Sequence, residues 1–235
     1  MLLANPLFPV FLKLEQLRVL LVGGGNVGLE KLTAILRNSP GTAVTVVSLT
    51  FLPALRTLAA RHTAVRLHVG PYDDAYLVEA DVVFAATDDP ALHRRIKAAA
   101  RARRLLVNVA DTPALCDFYL SSVVQKGALK VAVSTNGQSP TVAKRLRAVL
   151  EETLPEELDA VLRKMPAIRH QLSGDFAQKV KALDAVTAGL AGGSGYVAPA
   201  TRRWRALAVG ALLAAGILAA ARWGATPAPP TPKTP

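Results

Sequence analysis

Residues 19 to 28 read Val19-Leu20-Leu21-Val22-Gly23-Gly24-Gly25-Asn26-Val27-Gly28, an apolar run that passes directly into a glycine turn. Leu29, Leu32, Ile35 and Leu36 follow at helical spacing. A strand, a Gly-x-Gly-x-x-Gly turn and a helix in that order make the backbone that a dinucleotide pyrophosphate requires. Gly23 permits the tight turn, Gly25 lets the main chain approach the phosphates without an intervening Cβ, and Gly28 lets the helix pack closely on the strand. The free N–H groups at the helix start then face the anion. Glycine spacing alone also suits a tight turn in an unrelated α/β sheet, and it is the flanking strand and helix that favour a nucleotide site.

Outward from this turn, Ala43 to Ser48, Val65 to Val69, Asp81 to Ala86 and Leu105 to Val109 are further short apolar runs, separated by helical or turn segments. The alternation predicts an α/β fold of Rossmann type, a parallel sheet with helices on its faces. The first helix is expected to stop at Asn38-Ser39-Pro40-Gly41, a second to follow Pro53 to Arg61, and a third to run from Pro90 to Arg103. The charged face of the third, with Arg94, Arg95, Lys97 and Arg101, reads as a solvated surface. Beyond Val109 the pattern changes. A loop and helix are expected over 110–122, strands at Val123–Val124 and Ala128–Ser134 around Lys126-Gly127, and a helix capped by Ser139 with Pro140 at its first position. Residues 141–189 are helical in pattern, with breaks expected near Pro155 and Pro166.

With 235 residues, 51% of them hydrophobic, the chain can bury a substantial core, which excludes disorder throughout. A net charge of +11 and an isoelectric point near 10.2 call for an acidic partner. Nucleic acid is not expected, because the basic residues are dispersed and only 5% of residues are aromatic. A lone cysteine, Cys116, forms no intrachain disulfide, and this suits a reducing compartment. His62, His68, His93 and His170 show no paired metal-ligand spacing, so no metal site is expected.

The first 15 residues carry no basic cluster ahead of an apolar run, so no secretory leader is expected. The far end differs. From Ala206 to Ala221 every residue is apolar or glycine, and Trp204 and Trp223 flank the run. Trp204 to Trp223, a count that takes in Arg205 and Arg222, matches the ~20 residues of a membrane-spanning helix, and Arg202, Arg203 and Arg205 would hold the larger part of the chain on the cytoplasmic side. A buried or oligomer-forming helix is the other reading of so alanine-rich a run.

In an open parallel sheet, ligands bind outside the carboxyl ends of the strands. Three such ends are polar: Ser48-Leu49-Thr50, Thr87-Asp88-Asp89 and Asn108-Val109-Ala110-Asp111. The carboxylate that ordinarily holds the adenosine ribose, some 20 residues past the glycines, has no counterpart here, so the turn does not choose between NAD and NADP. Asp111 is placed to act as a general base beside a nicotinamide, or to serve as a turn or cap residue before Pro113. Asp88 and Asp89 are either a cap pair or cleft-lining residues. The loop Ser134-Thr135-Asn136-Gly137-Gln138-Ser139 is either a carboxylate-binding loop or an ordinary capped turn.

Six stretches in this order carry a resemblance: Asn5-Pro6-Leu7-Phe8-Pro9, Val22 to Gly28 followed by Lys31, Gly70-Pro71-Tyr72, Ala85-Ala86-Thr87-Asp88-Asp89, Asn108 to Asp111, and Val131 to Pro140. Together they resemble the siroheme synthase N-terminal family, whose members are precorrin-2 dehydrogenases and in many cases also sirohydrochlorin ferrochelatases. The resemblance covers about residues 4–155 and extends to the helices near 185. It implies a homodimer and a division into a Rossmann domain (1–112), a dimerisation region (113–150) and a helical module (151–189); outside the resemblance, composition alone gives a flexible linker (190–204), the transmembrane helix (205–223) and a disordered tail (224–235). It also implies NAD as cofactor, held by Asn26, Val27, Leu49 and Thr50, to which the glycine turn adds Gly23, Gly25 and Gly28 and the end of the fourth strand adds Thr87 and Asp88.

Asp111 matches the family's essential aspartate, and Thr135, with Ser134 and Lys126, falls in the tetrapyrrole cleft. The chemistry implied is oxidation of precorrin-2 to sirohydrochlorin, then insertion of ferrous iron as a substrate. Lys126, Lys130, Lys144 and Arg145 either help to neutralise the substrate's carboxylates or are solvated surface charge. Gly28 stands where alanine is common in the family, and Thr135 where serine is common. No methyltransferase domain follows, so uroporphyrinogen methylation is expected of another protein. Two other readings remain on sequence grounds: a dehydrogenase served by a separate chelatase, and a membrane-tethered NAD-sensing domain that has no use for Asp111.

Overall fold

The computed structural model describes residues 5–155, 158–171 and 176–187. Five strands form one wholly parallel sheet: β1 (Arg18–Val22), β2 (Ala43–Ser48), β3 (Val65–Val69), β4 (Val82–Ala85) and β5 (Leu106–Val109), in the order β3-β2-β1-β4-β5. The order reverses at β1, where a crevice opens between outward-going crossovers. Helices α1 (Asn26–Asn38), α2 (Pro53–Ala60) and α3 (Pro90–Ala102) link the strands. All five strands and three helices lie where hydrophobic patterning predicts them, within a residue or two at each end, α2 beginning at Pro53 itself.

Alternation within the central strands decides the two faces. Val19 and Leu21, with Val44, Val46, Val82 and Phe84, meet Leu32, Ile35 and Leu36 of α1 and Leu55 of α2. Leu20 and Val22, with Val47, Val83, Val107 and Val109, meet Leu77, Ile96 and Ala100. Each fully buried Leu or Ile contributes about 2 kcal/mol of gross hydrophobic stabilisation, so α1 is held by its inner stripe rather than by helix propensity. Its last turn ends where expected, and the Lys130 ammonium donates to the Asn38 carbonyl there. Lys130 thus partners a helix C-terminus and is not the freely solvated charge that is one of its two readings from sequence.

Two expectations about charge and helix are corrected. The basic face of α3 is only partly solvated: Arg95 pairs with Asp74 at 3.1 Å and stacks over Tyr72, and Lys97 pairs with Asp117. The helix expected within 110–122 is a single 3-10 turn, Pro113–Leu115. β5 is an edge strand, and its outward amides need partners. Asp117 Oδ2 accepts from Val107 N at 2.9 Å, Asp117 N donates to Val107 O at 2.8 Å, and Cys116 Sγ accepts from Val109 N at 3.2 Å. Asn108 Nδ2 donates to Phe118 O at 2.8 Å, and Phe118 packs edge-on against Phe84. A chain drawn along a strand edge in this way has no freedom to coil into a helix.

Strands β6 (Ser122–Lys126) and β7 (Leu129–Val133) form a separate antiparallel hairpin, followed by α4 (Pro140–Thr153). Ser139 caps α4 through Val142 N at 3.2 Å, with Pro140 at the first position, as expected. α4 leaves Val142, Leu146 and Val149 exposed on one stripe. α5 (Leu158–Gln171) runs through Pro166 without the predicted break; the proline removes only the bond to the Leu162 carbonyl. The chain divides into two units at that turn, Met1–Leu162 and Arg163–Pro235, and α6 (Phe176–Thr187) belongs to the second. Among the described residues no helix is long and apolar enough to cross a membrane, and the apolar run 206–221 lies outside them.

At the amino end of the sheet, Arg18 grips Asp81 twice, Nε to Oδ2 at 3.1 Å and NH2 to Oδ1 at 3.0 Å, while Arg18 N also donates to Oδ2 at 2.8 Å. The Arg18 guanidinium, and then its backbone N–H, hold the Asp81 carboxyl below the ordinary carboxylate range. Stabilisation from a depressed carboxyl is present above its unfolded pKa of about 4 and is lost as pH falls through the folded value. The urea-midpoint difference between the wild-type chain and Asp81→Asn should therefore be widest near neutral pH and should shrink as pH falls below the unfolded pKa of about 4 and through the folded value. A difference independent of pH would remove the carboxylate from this linkage.

Candidate active site

The glycine turn leaves the centre of the sheet through a gap bounded by two backbones. Gly23 has φ +122°, a region that L side chains rarely adopt, and a Cβ there would collide with the Ala86 carbonyl. A Cβ on Gly28 would collide with the Gly23 carbonyl, which is the close helix-to-strand approach expected of it. Gly25 is different. A Cβ there meets no protein atom within 4 Å, so the turn presents open space at that point. Gly25 is also the N-cap of α1 and supplies no side-chain cap, and no acidic residue occupies the first turn, so the first-turn N–H groups at Asn26 and Val27 face outward for an anion.

The end of β2 is clamped onto this turn. Leu52 N donates to Gly24 O at 3.0 Å, Gly23 N donates to Val47 O at 2.9 Å, and a Cβ on Gly24 would collide with the Thr50 carbonyl and crowd Ser48 and Phe51. Leu49 is 68% exposed, and Val69, paired in register with Ser48, is 67% exposed. Each of these strand ends therefore carries a bare apolar side chain. The open phosphate space and the free helix amides together fit a dinucleotide pyrophosphate.

Across the crevice, Thr87 follows β4, and its Oγ1 accepts from Asp89 N at 3.3 Å. Asp89 alone caps α3, accepting from Ala91 N at 2.8 Å and Leu92 N at 3.0 Å. The expected cap pair is therefore one cap residue and one exposed carboxylate, Asp88. Ala110 N donates to Ala85 O at 2.8 Å, which carries the β4–β5 ladder one residue further and sets Asp111 at its rim. Asp111 has φ +53°, makes no hydrogen bond among the described residues and is exposed. It does not cap the Pro113 turn, whose N-cap is Thr112. The carboxylate is therefore held by backbone geometry with its acceptor capacity unspent.

The loop after β7 is knitted to itself. Thr135 Oγ1 accepts from Ser139 N at 3.2 Å and donates to Ser139 O at 3.1 Å, and Ser134 Oγ accepts from Asn136 N at 3.2 Å. Asn136 and Gly137 both have positive φ, which makes a tight reversal. Lys126 lies at the other end of the hairpin, because Lys126 pairs with Leu129 while Ser122 pairs with Val133. A five-residue strand, about 15 Å, separates it from the loop, so Lys126 and Thr135 are not brought together. Among the described residues no group of three or more His, Cys, Asp or Glu side chains is placed to hold a metal ion.

Residues 10–122 match the family described as "Putative NAD(P)-binding", and residues 126–153 match "Sirohaem biosynthesis protein central". Siroheme synthase of Psychrobacter arcticus is 36% identical over 177 residues, covering 74% of this chain and 30% of the relative. Siroheme synthase of Salmonella schwarzengrund is 37% identical over 169 residues, covering 72% and 36%. The chain belongs to the siroheme synthase N-terminal family. It spans about a third of the length of these curated relatives. Among solved structures, SirC, a precorrin-2 dehydrogenase, shares the fold with a TM-score of 0.64 at 23% identity, covering 77% of this chain and 89% of that one.

Within the family's dinucleotide domain, two features escaped sequence reasoning. Gly24 looked like a spare glycine because its constraint comes from Thr50, a residue 26 positions away that only the fold brings near. The Cys116–Asp117 latch along β5 carried no motif at all. Gly25→Ala should leave urea stability within about 1 kcal/mol while weakening NAD+ binding roughly tenfold or more, since the methyl enters only the phosphate space. Gly23→Ala should cost about 3 kcal/mol or more. Equal stability losses in the two variants would contradict the division of roles.

Proposed function

We propose that this chain is the NAD-dependent dehydrogenase of siroheme biosynthesis, oxidising precorrin-2 to sirohydrochlorin. The observation that carries the reading is Asp111: an unpartnered carboxylate in a left-handed backbone conformation at the end of β5, beside the strand whose end abuts the glycine turn. Oxidation of precorrin-2 removes a hydride and a proton. NAD+, when held by the glycine turn, would supply the hydride acceptor, and the proton goes to a base.

Asp111 is that base, and its unspent lone pairs are available to the substrate proton. The N–H groups at Asn26 and Val27 and the open face at Gly25 hold the pyrophosphate, Leu49 and Thr50 the adenosine half, and Thr87 and Asp88 line the nicotinamide side. Ser134 and Thr135 contact the tetrapyrrole, and Lys126, a strand's length away, meets a peripheral carboxylate. Ferrous iron, as a second substrate, is inserted in the same cleft, with Asp111 again receiving the protons that leave the pyrrole nitrogens.

Asp111→Ala should lower the rate of NADH formation from precorrin-2 by about a hundredfold or more while NAD+ affinity stays within twofold. Undiminished turnover would remove Asp111 from the mechanism. Sirohydrochlorin and ferrous iron, supplied without NAD+, should give siroheme faster with the protein than without it; no acceleration would limit the activity to oxidation.

A second copy of the chain is proposed to cover the apolar stripe Val142, Leu146 and Val149, and the run Ala206 to Ala221 is proposed as a membrane tether on the cytoplasmic side. One preparation reads both. The full chain should float with liposomes, and the chain lacking 202–235 should stay behind with the light-scattering mass of a dimer. A monomeric mass would overturn the first proposal, and a full chain left in the soluble fraction the second.

A further inference from the structure

Resting on the dinucleotide reading of the glycine turn, one property of this chain's crevice goes beyond it. Between Glu30 and Asp73 the sequence has no acidic residue, so β2, α2 and β3, the elements beneath the adenosine half, supply no carboxylate. Glu15 lies by Gly41, at the amino end of β2 and away from the crevice. Asp73 is occupied in capping the next turn through Ala75 N at 2.7 Å, and Asp74 pairs with Arg95.

The position that ordinarily accepts a hydrogen bond from the ribose 2′-hydroxyl, and repels a 2′-phosphate, is Ser48 with Leu49 and Thr50. The next residue along the chain, Phe51, carries a cation over its ring. The Arg56 guanidinium lies 5.3 Å from the Phe51 ring centroid, and the edge of Phe51 borders Gly24. Arg56 has no ion-pair partner among the described residues, and it sits in the opening turns of α2, which has no acidic residue in its first turn. An unpaired guanidinium held over an aromatic face is a ready partner for a phosphate dianion.

We infer that this site accepts a 2′-phosphorylated dinucleotide, NADP+, nearly as well as NAD+, with Arg56 as the residue that meets the extra phosphate. The missing carboxylate removes the usual penalty, and the stacked arginine supplies the compensating charge.

The test is direct titration of the full chain with NAD+ and with NADP+ by calorimetry, in the wild type and in Arg56→Glu and Arg56→Ala, with thermal melts to confirm that each variant is folded. The expected result is a Kd for NADP+ within roughly tenfold of that for NAD+. Arg56→Glu should weaken NADP+ by roughly tenfold or more and NAD+ by less than about threefold, with Arg56→Ala in between. NAD+ binding a hundredfold more tightly than NADP+ would overturn the inference and leave the cofactor reading intact. Comparable binding of both that Arg56→Glu does not disturb would overturn the role of Arg56. Failure of both dinucleotides to bind a folded wild-type chain would overturn the cofactor reading itself.

Discussion

Backbone meets backbone at the glycine turn, and the architecture around it follows from that contact. β1 lies between β2 and β4 at sheet spacing, so a chain leaving its carboxyl end passes between the loops that leave its two neighbours. Side chains would not fit. Gly23 lies against Ala86, Gly24 against Thr50, and Gly28 against Gly23 itself. The polar groups at these contacts are used internally: Gly23 N by Val47, Ala86 N by Val22, and Gly24 O by Leu52. What remains unused is the opening of α1 above Gly25. An opening for an anion is therefore a by-product of packing, because among the described residues the point where the turn has no neighbour is also where helix amides have no partner.

A similar economy governs the other side of the crevice. β5 ends the sheet, and its outward amides at Val107 and Val109 are satisfied by Asp117 and Cys116 rather than by a sixth strand. For those residues to lie alongside β5, the chain reverses within a few residues of Val109. Asp111 takes the left-handed conformation there, which aspartate tolerates better than β-branched residues do. Conformational strain at the rim is thus a consequence of closing an edge. No side-chain hydrogen bond aims this carboxylate, so none has to be broken when a ligand arrives.

The parallel sheet, its helices and the dinucleotide turn were legible in the sequence because period-two and period-3.6 hydrophobicity report burial directly. Ser139 and Pro140 were legible as a helix start for the same local reason. What stayed hidden was whatever depends on distant partners. Asp89 and Asp88 look alike in sequence, yet only the former meets helix amides. Lys97, Arg95 and Lys130 read as solvated charge, while the fold gives each a partner. His93 had no assigned role, and it lies 5% exposed on the inner stripe of α3, in line with Ile96 and Ala100, its Nε2 buried without a partner. The 110–122 segment carries the composition of a helix, but edge-strand hydrogen bonding overrides that preference.

Charge ties the two halves of the crevice together. Under the proposed function a dinucleotide and a tetrapyrrole rich in carboxylates are both ligands and both polyanions, and a site that receives them side by side faces repulsion between them. At an effective dielectric near 20, two unit charges 8 Å apart repel by about 2 kcal/mol, so a few such pairs outweigh a typical hydrogen bond. An acid-free stretch from Lys31 to Tyr72 on the adenosine side and a net charge of +11 over the chain both act against that repulsion. A carboxylate at the end of β2 would add to it while supplying one ribose hydrogen bond. In a crevice of this kind the absence of that residue lowers the electrostatic cost of having both ligands bound, and under the proposed function Asp111, the carboxylate set at the rim of β5, serves as the base that receives the substrate proton.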